Sequence, residues 1–228
     1  AFIGVNIGRN KETSSSNSNQ DYTRGIEKFG CIADYLVVNV SSPNTPKLRA
    51  LQEASELEDL LSAIRVVYDR LPCRNNRPPL LLKVAPDLGS DEIKAISEVI
   101  SKPKTSIDGL IVTNTTVQRP LTLKSENKIQ TGGLSGEPLK SIALETIRLF
   151  RQYTKGKIPL IGVGGISTAE DILERIKAGA SLIQIYTSLT YSGPPIVNKL
   201  NRELAKLIRN EGFSSVAEAV GIDVDSKK

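Results

Sequence analysis

The chain contains no histidine and no methionine, only two cysteines, and aromatic residues at 4% of its 228 positions. Each shortage excludes something. Without histidine there is no Ser-His triad, no imidazole general base and no His metal site within these residues. Without methionine not even an initiator is present, so the sequence reads as a processed product or a fragment. Cys31 and Cys73 lack the CxxC spacing of metal and redox sites. They are expected to be reduced, buried thiols, with a disulfide or a catalytic role as the lesser alternatives. No apolar run reaches the roughly 18 residues needed to span a bilayer. The net charge of +5, from 30 Lys+Arg against 25 Asp+Glu, is spread along the chain. Nucleic-acid binding calls for a basic stripe with aromatic residues for stacking, and neither is present.

What the chain does have is a repeated alternation. Nearly continuous apolar runs at 2–7, 35–40, 80–84, 109–113, 160–163 and 182–186 read as strands buried on both faces. Amphipathic segments at 22–29, 54–70, 90–100, 139–153, 169–178 and 196–210 read as helices. Ser90 or Asp91 and Ser167 or Thr168 are candidate N-caps, and Gly179 a helix stop. The polar stretch TSSSNSNQ (13–20) reads as a loop, as does the long connection 116–135 with its Gly132-Gly133 pair.

Strand–helix alternation predicts a parallel sheet, either open and doubly wound or closed as a (β/α)8 barrel. Polar residues end nearly every strand: Asn6, Asn39 with Ser41-Ser42, Lys83, Thr113-Asn114-Thr115, Gly164-Gly165 and Tyr186-Thr187. A barrel gathers the C-terminal ends of its strands at one mouth, so this pattern favours the barrel. Six βα units are visible, and the chain opens almost inside a strand, so two units are expected to be missing at its N-terminus. No boundary divides the chain internally.

Gly164 and Gly165, followed by a helix start and a second strand end at Tyr186-Thr187, offer backbone N–H groups to a phosphate. The bland alternative is a tight turn, and the absent GKS/T ending rules out a P-loop. Lys83, alone in LLLKVAPDL, must face either a structural ion-pair partner or negative charge on a ligand. Asparagines both donate and accept, which suits a ring bearing imide N–H and C=O groups. Singly, each is more often a cap.

Seven segments in order resemble the class 2, quinone-linked dihydroorotate dehydrogenases: GVNIGRNK (4–11), DYLVVNVSSPNT (34–45), LLLKVAPDL (80–88), DGLIVTNTT (108–116), TGGLSG (131–136), IGVGGIST (161–168) and GASLIQIYTSL (179–189). The resemblance implies an FMN-containing barrel that oxidises dihydroorotate to orotate in pyrimidine (UMP) biosynthesis and passes electrons to a quinone. It assigns Ser42 as catalytic base, where the other class carries Cys. Asn39, Asn44, Asn114 and Thr115 become substrate contacts. Asn6, Asn39, Lys83, Thr113, Gly136, Gly164, Gly165, Tyr186 and Thr187 become cofactor contacts, and no metal is implied. Residues 46–52 are expected to close over the substrate as a lid, and Lys83 to stabilise reduced flavin.

The same resemblance implies that the first two barrel strands and an N-terminal helical region, which docks on the membrane and admits the quinone, lie outside these residues. It points to the mitochondrial inner membrane, with a bacterial inner membrane as the lesser option. Two other readings stand beside it: a different FMN barrel oxidoreductase, and an inactive phosphate-ligand-binding fragment.

Overall fold

A computed structural model describes residues 2–73 and 76–225. Six parallel strands alternate with helices: β1 (Gly4–Ile7), α1 (Ser18–Phe29), β2 (Tyr35–Asn39), α2 (Ala54–Tyr68), β3 (Leu80–Val84), α3 (Ser90–Ile100), β4 (Gly109–Val112), α4 (Lys140–Thr154), β5 (Leu160–Val163), α5 (Ala169–Ala178), β6 (Ala180–Gln184), α6 (Thr187–Ser192) and α7 (Pro195–Asn210). Each strand pairs with the next, in the order β1-β2-β3-β4-β5-β6. A doubly wound sheet must reverse its order at a switch point, and this one never does. The fold is therefore α/β, with six βα units of a (β/α)8-type barrel.

Side chains of each strand alternate between two environments. Leu36, Val38, Leu80, Leu82, Leu110 and Val112 point outward into the main core with α1 to α4. Val37, Leu81 and Ile111 face the other way, forming a smaller inner cluster with Tyr35, Ile161 and Val163. Ladder register carries the inner face upward, with Asn39 opposite Lys83 and Lys83 opposite Ile111. The apolar runs of β2, β3 and β4 are thus continuous because both faces of the sheet are covered there, whereas β1 and β6 at the edges, expected to be buried on both faces, are largely exposed.

Local signals set most boundaries. Thr168 caps α5 by accepting the Asp171 N–H at 3.2 Å, and Asp171 answers by accepting from Thr168 N–H. Gly89, rather than Ser90 or Asp91, precedes α3, and its N–H donates to Glu92 at 2.6 Å. The polar stretch expected as a loop supplies a 3-10 turn and the first residues of α1, where buried Ser18 accepts from Arg9. β6 begins earlier than the expected 182–186, because Gly179 at φ +126° turns the chain straight from α5 into the sheet. Phe2 and Ile3 lie outside β1 and are exposed.

The cysteines are not free thiols. Cys31 and Cys73 form a disulfide with a Cα separation of 5.7 Å, and Cys31 is exposed. It joins the connections leading into β2 and β3, at the opposite end of the strands from the polar mouth. A fold contact between loops 42 residues apart carries no local sequence signature.

Candidate functional site

The loops leaving the C-terminal ends of the strands enclose a cavity of about 520 Å³. That volume lies in the range of small-ligand sites. Lys83, Thr113, Asn114, Thr115, Gly136, Gly164, Gly165, Tyr186 and Thr187 all line it.

One end is built from amides and hydroxyls. Asn39, the last residue of β2, accepts through Oδ1 from Ser41 N–H at 3.1 Å and Ser41 Oγ at 3.0 Å. Asn114 Nδ2 donates to Ser41 Oγ at 3.1 Å and to Asn39 Oδ1 at 3.4 Å, tying the ends of β2 and β4 together. Tyr22 fixes this arrangement from behind by donating to the Asn39 carbonyl at 2.8 Å. Burial raises the Tyr22 pKa, so the phenol stays protonated as a donor. Ser42, next in the chain, points to the other side of the turn. Its Oγ accepts the Asn44 N–H at 3.3 Å.

Two loops cover this end. Within the segment 46–52 expected as a lid, residues 48–52 form a 3-10 turn seated by buried Leu48, Leu51 and Gln52. Gln52 Oε1 accepts the Ala85 N–H at 2.8 Å, which holds the turn on β3. Arg49 donates to Ser41 O, Asp87 and Thr115 O at 3.1, 2.7 and 2.8 Å, so it grips the loops after β2, β3 and β4 at once. The second cover is the 116–135 connection, closed by a two-way backbone pairing of Thr116 with Leu134. Its glycines allow the approach: a Cβ at Gly133 would collide with Thr115 Oγ1 and lie 3.0 Å from Pro43.

Lys83 occupies the middle of the inner face. It has no hydrogen-bond or ion-pair partner among the described residues, and burial lowers its pKa. A cation desolvated without a partner is unfavourable, so the structural ion pair is not its explanation.

The far end is the turn after β5. Gly164 and Gly165 adopt φ +119° and +64°, conformations that favour glycine. The N–H groups of Gly164, Gly165 and Ile166 have no acceptor among the described residues. The start of α5 is different from expectation, because the Asp171 carboxylate already accepts from Ser167 and Thr168 N–H at 2.8 and 2.9 Å. Free donors therefore come from the glycine turn rather than the helix end. Ser135 lies opposite and meets Thr187 Oγ1 at 3.0 Å.

Such a series, with an amide-rich end, a half-buried cation and a donor-rich glycine turn, can hold a long ligand that is polar at one end and anionic at the other. The profile of the family described as dihydroorotate dehydrogenase matches residues 1–208. The chain belongs to the dihydroorotate dehydrogenase family. It is 48% identical over 221 residues to the mitochondrial dihydroorotate dehydrogenase (quinone) of Mus musculus, covering 97% of this chain and 55% of that protein. The dihydroorotate dehydrogenase (quinone) of Rhodospirillum rubrum is 51% identical, over 97% of this chain and 59% of its own length. The chain thus spans rather more than half the length of these relatives. A solved dihydroorotate dehydrogenase from Eimeria tenella, in complex with ferulenol, superposes with a TM-score of 0.90 at 40% identity, covering 96% of this chain and 61% of its own.

Within this family member, Asn39 joins the cavity through its bond to Asn114, and Ser42 and Asn44 lie on the adjoining turn. Asn6 stands apart: it is exposed on β1, in register with Val37 and so one step below Asn39 on the inner face. Sequence reasoning named Ser41 only among the polar strand ends and passed over Arg49, Asp87 and Gln184.

Proposed function

We propose that residues 1–228 form the FMN-binding barrel part of a quinone-linked dihydroorotate dehydrogenase, oxidising dihydroorotate to orotate in UMP biosynthesis. The observation that carries this reading is that Lys83, without a partner among the described residues, lines one cavity with Asn114 at the Asn39–Asn114 pair and with the Gly164-Gly165 turn. The family is one of flavoenzymes, and FMN fits: its phosphate suits the free N–H groups of the glycine turn, and its ring suits the flat inner face beside Thr113 and Lys83. Gly136, Tyr186 and Thr187 would complete the phosphate end, with Asn6 and Asn39 toward the ring. When bound, FMN would supply the acceptor for the hydride that leaves the substrate.

Everything else falls to side chains of this chain. Asn39, Asn44, Asn114 and Thr115 would hold the imide and carboxylate groups of the pyrimidine. Ser42 Oγ would take the ring-carbon proton as its own hydroxyl proton passes to solvent at this half-exposed position, and the Asn44 N–H it already accepts eases that release. Lys83 would lower the energy of negative charge that builds up beside it. The loop 116–135 would keep water from the reacting carbon.

We further propose that the remainder of the protein supplies two more strands and a helical, membrane-docking quinone region. Among the described residues no helix is long and apolar enough to cross a membrane. Relatives are named mitochondrial in Mus musculus and Schizosaccharomyces pombe, while others are bacterial. The mitochondrial inner membrane is our assignment for this chain. The test is the anaerobic visible spectrum of the purified protein before and after dihydroorotate. Bleaching of a yellow protein is the expected result. A flavin that stays oxidised favours a different FMN oxidoreductase, and a colourless protein that takes up no FMN overturns the reading.

A further inference from the structure

Among the described residues the largest fully buried side chain is an arginine, Arg175 of α5, at 0% exposure. A buried guanidinium ordinarily meets a carboxylate. This one meets backbone carbonyls from three elements. Nη1 donates to Asp171 O at 3.0 Å, while Nη2 donates to Gly164 O at 2.7 Å and to Lys140 O at 3.3 Å. Its Nε is buried without an acceptor. A stability-driven core would not keep such a group, because each unmatched buried donor is unfavourable. The guanidinium is therefore retained for what it holds.

What it holds is the turn after β5. In a trans peptide the C=O and N–H of one amide plane point in opposite directions. The Gly164–Gly165 bond is trans, so drawing the Gly164 carbonyl down onto Arg175 turns the Gly165 N–H the opposite way. That N–H has no acceptor among the described residues, and Gly165 lines the cavity. The turn cannot slide to another conformation easily, since a Cβ at Gly165 would lie 2.5 Å from Lys140 Cα. Arg175 binds the carbonyl of that same Lys140, clamping the turn between α4 and α5. Beneath it lies the Lys140–Asp171 ion pair, and the carboxylates of Asp171, Glu174 and Glu137 act on the Arg175 charge without hydrogen-bonding it.

We propose that Arg175 is the positioning residue of the anion site: through the Gly164 carbonyl it aims the Gly165 N–H at a phosphomonoester, and so makes the protein select FMN over riboflavin. The inference rests on the flavin reading above. It differs from that reading in assigning phosphate selectivity to a residue that touches no ligand.

The experiment compares FMN with riboflavin, which shares the ring and lacks the phosphate. Binding of each is followed by flavin fluorescence quenching in wild-type protein, Arg175→Met and Arg175→Lys. Wild type is expected to prefer FMN strongly. Arg175→Met should shrink that preference at least tenfold while riboflavin affinity stays within about twofold, since only the phosphate end has lost its alignment. Arg175→Lys should fall between them, because an ammonium keeps the charge and reaches fewer carbonyls. Riboflavin binding also reports that a variant has folded, and the lysine variant carries the test if the methionine variant does not. A preference for FMN that survives in both variants overturns the role of Arg175 alone, as does an equal loss of both ligands. Wild type binding both flavins equally removes the phosphate site, and wild type binding neither removes the flavin reading.

Discussion

Arg49 and Asp87 meet at 2.7 Å, joining the turn after β2 to the loop after β3. The same guanidinium reaches the carbonyls of Ser41 and Thr115, and the same carboxylate accepts from Thr116 Oγ1 and from Val117 N–H at 3.0 Å. Neither side chain is more than 22% exposed, so solvent screens the pair only partly. Its effect is to hold three loops of the mouth in one register.

Arg49→Met should therefore leave flavin bound and slow substrate oxidation by roughly a hundredfold, the scale of a 1 Å misplacement. Unfolding free energy should fall by about 3 kcal/mol, since Asp87 is left without its cation. Asp87→Asn should be milder, and the double variant less than additive. Rapid-mixing reduction kinetics and urea unfolding measure both. Unchanged reduction in Arg49→Met would remove the coupling between the loops and the site.

Ser41 and Ser42 should separate cleanly in kinetics. Ser42→Ala would remove the proposed proton acceptor and should depress flavin reduction by roughly a thousandfold with FMN retained. Ser41→Ala instead loosens the Asn39–Asn114 pair, which Ser41 bridges from a fully buried position. It should raise KM for dihydroorotate by about tenfold, one hydrogen bond's worth, with little change in kcat. The opposite pattern would exchange the roles of the two serines.

The contrast between those serines marks the limit of what a linear reading can reach. Polar strand ends announced the mouth, because apolar strands have no packing reason to end in Asn39, Lys83 and Thr113. β3, α3, β5 and α5 were legible to the residue, since continuous apolar runs and amphipathic stripes had sharp polar stops. Arg49 and Arg175 were not legible, because a cation on an amphipathic helix or turn looks solvent-facing until its neighbours are known. The α5 N-terminus was misread for the same reason. Asp171 resembles an ordinary first-turn acidic residue, yet its carboxylate consumes the N–H groups expected for the ligand. The disulfide pairs residues 42 apart and needed the folded loops to appear.

Lys83 opposes folding at the position proposed to face the flavin. Its folded pKa lies below 10.5 because burial disfavours the charged form. Between the folded and unfolded values the unfolded chain binds more protons, so this residue opposes folding at neutral pH and less so as pH rises. Lys83→Met should raise the Tm of the flavin-free protein by a few degrees, given about 2–4 °C per kcal/mol for a chain of this size. It should also weaken FMN and slow its reduction. Calorimetry and flavin titration on the same preparation check the pair, and a lower Tm would mean Lys83 has a structural partner.

Cys31–Cys73 closes a loop of 42 residues. Loop-closure entropy puts its stabilisation at up to about 4 kcal/mol, acting on the unfolded chain. A Cys31→Ser/Cys73→Ser variant should unfold at lower urea, and a reducing agent should bring wild type to the same midpoint. Flavin binding should be untouched, because the bridge sits at the far end of the strands. Coincident midpoints without reductant would mean that the thiols are free.

Acid should open the phosphate end through Asp171. Burial alone would raise this carboxyl, but hydrogen bonds from Lys140, Ser167 and Thr168 outweigh it and bring the pKa from 3.8 to about 2. A depressed folded value means the stabilisation is complete above the unfolded pKa and disappears as pH falls through about 2. Its full size is about 2 kcal/mol. Lys140 shifts upward in keeping with the same pair. Unfolding free energy measured in urea from pH 5 to pH 2 should therefore fall more steeply in wild type than in Asp171→Asn, with the difference concentrated below pH 4. Because Asp171 also orders Ser167 and Thr168 beside the glycine turn, FMN should be released from wild type within that same window. Parallel acid limbs in the two proteins would mean that the carboxylate is not held by Lys140 in solution.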